Sequence, residues 1–376
     1  FVSRSPGLSR LVFDIIWYLF QGGSVPHLTR EVLEIAFDAS MPVVMPAENI
    51  AFAYEAVKVF QKGMTSFSGL SESICWCSQF DHAVNSPKSL NQKDKVALWT
   101  RFGKKLIDAD SYMDMIEVFK PDFFTVLSNN DTNKTSSNKQ TRKSVDQSIS
   151  LLQKCVERHK NSATLKDAGI LAGIQGGYNV HDRTRCAETM SKAEVDGFVI
   201  DGLFTNGLEV ENITFEDIEP VIKVTMDHLP KDKLKAVYGA WNPDVILKLV
   251  DMGVDLFDTS LAYLSTEKGC ALNFKYPKTT KSNLKKKEIK GIQGGIQGNI
   301  ARSPLAHQLK SLSQPQQLHS REREQLQNHT RAYIHHLLKT KELLAPVLLM
   351  IHNLHHYQMF FENIRYNVKH CGKAFI

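Results

Sequence analysis

Three apolar stretches in the middle of the chain end in residues that could bind or attack a substrate. They are Gln175, Gly176 and Gly177 after GILAGI, Asp201, Gly202 and Leu203 after GFVI, and Asp255 and Asp258 within DLFDTS. Glycines at the end of a strand let a ligand or another backbone approach closely. A carboxylate at such a place can act as a nucleophile or carry a proton. The structural alternative for each aspartate is the N-cap of the following helix.

A second candidate cluster lies close to the end of the chain. His352, His355 and His356 are spaced i, i+3 and i+4. In a helix they project from one face, a spacing that can bring two imidazoles to one metal ion. No glutamate of an HExxH motif lies between them to act as a base. The alternative is that all three are half-exposed polar side chains of an amphipathic helix.

Alternating β-rich and helical stretches position the first group of residues. The predicted strands are 42–47, 73–78, 122–127, 169–174, 197–202, 234–240 and 255–260, with an eighth from residues 12–20. The predicted helices between them are 93–108, 142–159, 182–192, 215–229 and 243–253. This alternation indicates βαβ units and a parallel sheet. Its regularity favours an α/β fold of the (β/α)8 TIM-type barrel class over an open doubly wound sheet, and in such barrels chemistry lies at the carboxyl ends of the strands.

The C-terminal part predicts two packed helices within residues 328–365. Apolar residues recur there at steps of three and four, with a break near Thr340. Pro346 falls in the first turn of the second helix, where its missing N–H costs little. Four aromatic residues fit either an interface with a homologous chain or burial against the chain's own barrel. They are Tyr333, Tyr357, Phe360 and Phe361.

Two polar stretches predict irregular structure. Residues 129–141 contain no apolar side chain and predict a mobile loop after a strand. Residues 275–327 are rich in lysine, then in serine and glutamine, and predict a largely disordered segment. The predicted domains are therefore a barrel over 1–274, a basic low-complexity segment over 275–327 and a helical subdomain over 328–376.

Charge and cysteine usage limit the class of protein. The net charge of +6 is carried by residues 275–290, which hold seven lysines and one glutamate, so the remaining chain sums to zero. Basicity is therefore weak support for a structured RNA site. Six scattered cysteines without a disulfide framework predict a reducing, cytoplasmic setting, and Cys75 and Cys77 are expected in the core. The longest apolar run is too short for a membrane span. Because the sequence opens on Phe1, we expect a partial gene product with an incomplete first strand.

The segment NHTRAYIHHLL, followed by LLMIHN and HHYQMFF, resembles the C-terminal part of the tRNA-guanine transglycosylase family. The similarity extends over roughly residues 22–274 and 328–365. It implies a (β/α)8 barrel with a zinc-stapled helical subdomain, acting in the exchange of guanine for queuine at wobble position 34 of tRNAs with GUN anticodons. It also implies cytoplasmic location, or association with the outer surface of mitochondria.

The resemblance assigns roles to the residues at the strand ends. GIQGG resembles the family's base-pocket glutamine and glycines, so Gln175, Gly176 and Gly177 would line a base pocket. The pair Gly202 and Leu203 resembles a glycine and leucine lining the same pocket. GVDLFDTS resembles the strand whose aspartate attacks the ribose C1′, and Asp258 takes the nucleophile's position. His352 takes the position of the family's fourth zinc ligand.

Three departures from the family pattern predict a degenerate site. The turn like TDSGGFQ that carries the second carboxylate is replaced by ICWCSQFDHAV, where Asp81 is the nearest carboxylate. The proline, threonine and arginine after the nucleophile strand are replaced by LAYLSTEKG. The three cysteines of the family's CxCxxC fall on Arg321, Arg323 and Leu326, which cannot bind zinc. Either the metal has been lost or the sequence across 275–327 is an incorrect gene product.

The departures favour a non-catalytic subunit that forms a heterodimer with a catalytic homologue and helps to hold tRNA. The first alternative is a self-sufficient transglycosylase that uses Asp258 as its nucleophile. The second is a metal-free interaction scaffold with no role in tRNA modification.

Overall fold

A parallel sheet of eight strands forms the centre of the molecule. The computed structural model describes residues 18–19, 27–28, 42–71, 73–84, 91–205, 207–278, 329–372 and 374. Its strands are β1 Tyr18–Leu19, β2 Val43–Val44, β3 Cys75–Cys77, β4 Val96–Thr100, β5 Gly103–Ile107, β6 Phe123–Thr125, β7 Gly169–Ile174, β8 Gly197–Ile200, β9 Leu234–Val237 and β10 Leu256–Phe257. The sheet order is β1-β2-β3-β6-β7-β8-β9-β10, and β4 pairs with β5 alone. Every neighbouring pair in the large sheet is parallel.

Helices connect the strands and cover the sheet. They are α1 Ala47–Ile50, α2 Tyr54–Phe60, α3 Met64–Phe67, α4 Ala109–Phe119, α5 Asn138–Asn161, α6 Val180–Met190, α7 Phe215–His228, α8 Pro243–Asp251, α9 Ser260–Glu267, α10 Arg331–Thr340 and α11 Leu344–Cys371, with 3-10 helices at Ala51–Ala53 and Gly207–Asn212. Within the described ranges, no helix is both long and apolar enough to cross a membrane.

One apolar cluster inside the sheet joins seven of its eight strands. It is formed by Val44, Trp76, Leu171, Val199, Ala236, Tyr238 and Leu256, with Phe123 packed against it. Strands β2 and β10 stand near opposite ends of the sheet order, yet both contribute to this cluster. The sheet is therefore curled around a filled interior, as in a (β/α)8 barrel. The predicted α/β barrel class is confirmed.

Most predicted elements contain an observed one. Each of the seven strand candidates from residue 42 onward includes a strand, and β1 lies within 12–20, of which only residues 18–19 are described. Four of the five predicted helices match α5, α6, α7 and α8. Helix α5 begins at the capping box of Ser137, whose backbone N–H donates to Gln140 Oε1 (2.9 Å). Cys75 and Cys77 are buried core residues, as expected.

The predicted helix over 93–108 is wrong, because this stretch forms the antiparallel hairpin β4–β5. Gly103 has φ of +101°, a left-handed conformation that a helix interior does not accommodate. The Thr100 hydroxyl donates to the Gly103 carbonyl (3.0 Å) and accepts the Phe102 N–H (3.3 Å), which closes a turn over residues 101–102. These local bonds override the weak helical spacing of the apolar residues.

The prediction of a mobile loop over 129–141 is also corrected. Asn129 and Thr132 are buried, and Asn138 already begins helix α5. The Asn129 side chain donates to Gln147 Oε1 (2.9 Å), and its backbone N–H donates to Ser148 Oγ (3.0 Å). Polar side chains thus form hydrogen bonds inside the protein here, with the backbone and with one another. Composition alone does not reveal such bonds.

The two C-terminal helices pack on the barrel through α11. The break falls at Lys341, whose φ is +59°, and Pro346 is the third residue of α11. Tyr357, Phe360 and Phe361 are buried in the chain's main core, whereas Tyr333 is 40% exposed. For three of the four aromatics, burial against the chain's own core is therefore the correct alternative. The basic segment beyond residue 278 and positions 321, 323 and 326 lie outside the described residues.

A buried asparagine fastens α11 to the end of the barrel. Asn353 Oδ1 accepts the Leu272 N–H (2.8 Å). Its Nδ2 donates to Thr266 Oγ1 (2.9 Å) and to the Cys270 carbonyl (3.0 Å). Both N–H groups and the oxygen of this amide are thereby hydrogen-bonded at a site without water access. The position of residues 270–272, which follow α9, therefore depends on Asn353.

We expect Asn353→Ala to destabilise the protein by about 2–4 kcal/mol, because it leaves buried backbone groups of residues 270–272 without partners. The measurement is chemical denaturation of the purified chain. Gln358→Ala, on the same helix but half-buried and bonded only to Glu362, serves as the control and should cost well under about 1 kcal/mol. Equal losses in both variants would contradict this role.

Candidate functional site

Charged side chains converge at the carboxyl ends of four barrel strands. Glu48 follows β2, Asp81 and His82 follow β3, Asp201 follows β8 and Asp258 follows β10. Neighbouring charges shift one another's pKa: Asp258 and Asp201 act on His82, and Asp258 acts on Asp81. The parallel order of the strands explains the convergence, because it brings every carboxyl end to one face.

The predicted nucleophile Asp258 is 1% exposed and fully engaged by the protein. Its Oδ1 accepts the N–H groups of Gly239 (3.1 Å) and Ser260 (3.2 Å). Its Oδ2 accepts the Ser260 hydroxyl (2.6 Å). Burial raises the pKa of Asp258, partly offset by these bonds and by His82. The carboxylate therefore accepts the N–H and hydroxyl of Ser260, the first residue of α9, a structural role close to the N-cap alternative.

Asp81 and Glu48 form a second pair of buried carboxyl groups at this face. Asn49 Nδ2 donates to Asp81 Oδ2 (2.8 Å), and the Ala83 N–H donates to Asp81 Oδ1 (3.0 Å). The Asp81 N–H in turn donates to Glu48 Oε1 (2.6 Å). Burial raises the pKa of Glu48 to about 8, helped by the charge of Asp81 and opposed by the bond from the Asp81 N–H. Glu48 is therefore protonated at neutral pH.

His82 supplies positive charge between the aspartates. Its Nε2 lies 3.7 Å from Asp201 Oδ1, an ion-pair distance longer than a hydrogen bond. Burial lowers the pKa of His82, but Asp201, Asp258 and Asp81 together outweigh burial and raise it. Burial raises the pKa of Asp201, yet His82 and the Gly202 N–H bring it below its usual range. Each group thus favours the charged form of the other.

The residues predicted to line a base pocket do lie together. Gln175 Nε2 donates to Ser128 Oγ (3.2 Å), while Gln175 Oε1 has no partner among the described atoms. Gly202 has φ of +73°, and a Cβ there would lie 2.5 Å from Gln175 Oε1. Gly176 also has positive φ (+124°), and its Cβ would lie 2.8 Å from a backbone nitrogen of α6. The glutamine and these glycines therefore pack with no space for added atoms.

The other predicted lining residues, Gly177 and Leu203, belong to the same two loops. Arg183, which the sequence reading overlooked, holds these loops together. It is fully buried, and burial lowers its pKa to about 10. Its guanidinium donates to the carbonyls of Ile174 (2.8 Å), Gly177 (2.8 Å) and Asp201 (2.9 Å). The signal available in the sequence was a basic residue one helical turn into α6, directly after GIQGG.

One cleft opens at this face between described residues, and it is small. A cleft of about 50 Å³ is lined by Phe80, Asp81, His82, Val84, Ala97, Trp99, Asn130, Asp131, Phe204, Thr205 and Gly207. That volume holds only a few water molecules. Aromatic rings fill the surroundings: His82 lies 4.9 Å from Tyr238 and 6.0 Å from Phe204 between ring centroids, and Phe204 lies 5.9 Å from Trp241. A nucleobase would enter this cleft only if these rings moved.

Two predicted site residues lie elsewhere. Asp255 precedes β10, and its Oδ2 accepts the Lys235 N–H (2.9 Å) at the start of β9, so it stands at the opposite end of the barrel. His352 is buried on α11, and its Nε2 lies 2.9 Å from the Leu272 carbonyl. Burial lowers the pKa of both His355 and His356 to about 4, with His352 adding to the effect.

The residues around His352 do not fit a zinc site. In the part of the chain that the structure describes, no three His, Cys, Asp or Glu side chains come close enough to share a metal ion. His352 and His356 stack with ring centroids 6.0 Å apart, and one nitrogen of His352 faces a carbonyl. A tetrahedral structural site needs four ligands.

Comparison with known proteins identifies relatives along almost the whole chain. The family described as queuine tRNA-ribosyltransferase matches residues 15–371. A relative from Aedes aegypti is 36% identical over 351 residues, covering 93% of this chain and 80% of the relative. One from Ixodes scapularis is 34% identical (94% and 89% covered), and one from Xenopus tropicalis is 32% identical (91% and 86%). All three are named queuine tRNA-ribosyltransferase accessory subunit 2.

The raised pKa of Glu48 predicts a pH-dependent stability. Its pKa is about 8 when folded, against 4.5 as the ordinary value, so the folded chain keeps a proton that the unfolded chain loses. This contribution to stability is fully present below pH 4.5 and declines as pH rises toward about 8, by at most about 1.4 kcal/mol per pH unit.

We therefore expect Glu48→Gln to be more stable than the unchanged protein at pH 8 and about equally stable at pH 5. The amide keeps an oxygen for the Asp81 N–H and carries no titrating proton. Urea midpoints measured at both pH values give the difference, in which titrating groups that do not interact with Glu48 cancel. A difference that does not change with pH would show that Glu48 is not buried as a neutral acid.

Proposed function

The chain belongs to the queuine tRNA-ribosyltransferase family, and on that premise we propose that it is the non-catalytic subunit of a tRNA-guanine transglycosylase. It would pair as a heterodimer with a catalytic homologue that exchanges guanine for queuine at wobble position 34 of tRNAs with GUN anticodons. The names of the relatives support this proposal, since each is an accessory subunit of queuine tRNA-ribosyltransferase.

The state of Asp258 is the observation that carries the proposal. A nucleophilic aspartate must offer a free oxygen lone pair to the ribose C1′ at near-attack distance. Here donors of Gly239 and Ser260 occupy three of the about four acceptor positions of the carboxylate, and burial raises the pKa of the group. Attack by the remaining lone pair would require admitting the ribose to a buried position.

Asp81, the nearest candidate for the second carboxylate of a base-exchange reaction, is likewise held by hydrogen bonds. Asp81 accepts the Asn49 amide and the Ala83 N–H, so both of its oxygens are held within the protein. A proton carrier needs one oxygen directed at the departing or arriving base. With the small cleft and the surrounding aromatic rings, this arrangement supports a rigid barrel that assists a catalytic partner.

The proposal also covers the zinc content of the chain and its cellular compartment. The residues described around His352 do not supply the remaining ligands of a four-coordinate site, so we expect this chain to hold its C-terminal helices without a metal ion. The cysteines are free thiols, and five of the six are buried. This usage fits a reducing compartment and hence a cytoplasmic location.

We expect the purified chain alone to incorporate no labelled guanine into tRNA, because Asp258 and Asp81 are both engaged by the protein. Adding a catalytic homologue should give exchange that exceeds the activity of that homologue alone. Asp258→Asn in this chain should leave the activity of the mixture within about twofold, since an amide oxygen still accepts bonds at the start of α9. Exchange by the isolated chain that Asp258→Asn abolishes would establish the self-sufficient enzyme instead.

Zinc content gives an independent test. Elemental analysis of the purified chain should show well below one zinc per molecule, even after incubation with excess zinc and gel filtration. His352→Ala should then lower stability, because it leaves the Leu272 carbonyl without its partner, and zinc should have no effect on either form. Stoichiometric zinc that disappears in His352→Ala would overturn the metal-free account.

A further inference from the structure

The tip of hairpin β4–β5 exposes an aromatic ring among basic side chains. Phe102 is 80% exposed at the turn. Arg101, Lys104 and Lys105 around it are exposed as well. A large apolar ring in water is unfavourable. The Arg101 guanidinium lies 5.6 Å from the Phe102 ring centroid, the nearest interaction that the ring makes.

The hairpin stands at the rim of the barrel face that carries the candidate site. Ala97 and Trp99 of β4 line the cleft together with Asp81 and His82. Lys104 is the cross-strand partner of Trp99, so both side chains lie on the same face of the hairpin. The tip is also anchored on the barrel, since the Arg101 guanidinium lies 5.0 Å from the ring centroid of Phe52, which follows β2.

The charges at the tip are available for an external partner. In the described part of the chain, no carboxylate lies within ion-pair distance of Arg101, Lys104 or Lys105. Asp81 and Asp131 line the cleft behind them, and their carboxylates would repel a polyanion. A phosphate backbone approaching this face is therefore attracted to the rim and not drawn into the cleft.

An exposed ring between three cations that have no carboxylate partner among the described residues matches the chemistry of single-stranded nucleic acid. A base stacks on the ring irrespective of its identity, and the flanking phosphates pair with the cations. A duplex offers the phosphates but keeps its bases stacked on each other. A protein partner would need carboxylates matched to three closely spaced cations, whereas every RNA chain carries regularly spaced negative charges.

We propose that the hairpin tip binds an unpaired segment of RNA, with a base on Phe102 and phosphates on Arg101, Lys104 and Lys105. The proposed function enters only in naming that RNA as the anticodon loop of the tRNA. The barrel then contributes a second contact with the RNA, beside the contact that the catalytic partner makes.

The test compares two probes on the full chain: an RNA stem–loop carrying a GUN anticodon and a duplex made of its stem alone. Fluorescence anisotropy gives the affinities. Phe102→Ala should weaken stem–loop binding about 10-fold and leave duplex binding unchanged, since stacking on an aromatic ring contributes only for unpaired bases. Phe102→Trp should retain the affinity of the unchanged chain.

The charges are tested separately by the salt dependence of binding. Replacing Arg101, Lys104 and Lys105 together by Ala should lower the slope of log affinity against log salt concentration by about 2 units. Each single-strand phosphate contact contributes about 0.7 to this slope. Lys166, Lys192 and Lys231 are exposed lysines in the loops before β7, β8 and β9, at the opposite end of the barrel. Their joint replacement by Ala removes the same charge and should leave the slope nearly unchanged.

Unchanged stem–loop affinity in Phe102→Ala, or equal slopes in the two triple variants, would overturn the proposal. It is also overturned if the hairpin variants bind RNA normally but fail to pair with the catalytic homologue, which would make the tip a protein interface. The proposed function is judged by whether the unchanged chain raises exchange by its partner. That result stands even if RNA does not contact the hairpin.

Discussion

The burial of four carboxyl groups around one imidazole at the carboxyl ends of the strands is the constraint on which the rest of the site depends. A buried charge is costly unless it is paired, hydrogen-bonded or neutralised. The protein uses all three solutions: His82 pairs with Asp201, the start of α9 holds Asp258, and Glu48 keeps its proton. Each of these interactions connects one strand end to a neighbouring residue, so the buried charged groups help to hold the barrel together.

The same constraint is the physical basis for the proposal that this barrel does not exchange bases. Catalysis requires carboxylates whose oxygens are directed at the reacting atoms, held by neighbours but open to the substrate. Here the oxygens of Asp258 and Asp81 are directed at backbone and side-chain donors of their own loops. Arg183 reinforces the closed arrangement by binding three carbonyls of the loops that would surround a base. What remains exposed at this face is the basic hairpin rim.

The sequence predicted the fold well and the site only in part, for physical reasons. Alternating apolar runs report strand order directly, and strand order places Gln175, Gly202 and Asp258 at one face. Residues 93–108 were misread because the turn depends on the φ of Gly103 and on two bonds of Thr100, which leave no periodic signal. Glu48, His82 and Arg183 act through neighbours distant in sequence, so their roles became visible only when the strands were assembled.

On the proposed function, Asp258 holds the fold and does not form a covalent bond with the ribose. The direct measurement is a search for an RNA–protein adduct after mixing this chain, a catalytic homologue and tRNA, with separation of the two proteins on a denaturing gel and mass spectrometry of their peptides. The account predicts a ribosyl adduct on the catalytic homologue alone. An adduct on the peptide of this chain that contains Asp258 would contradict it.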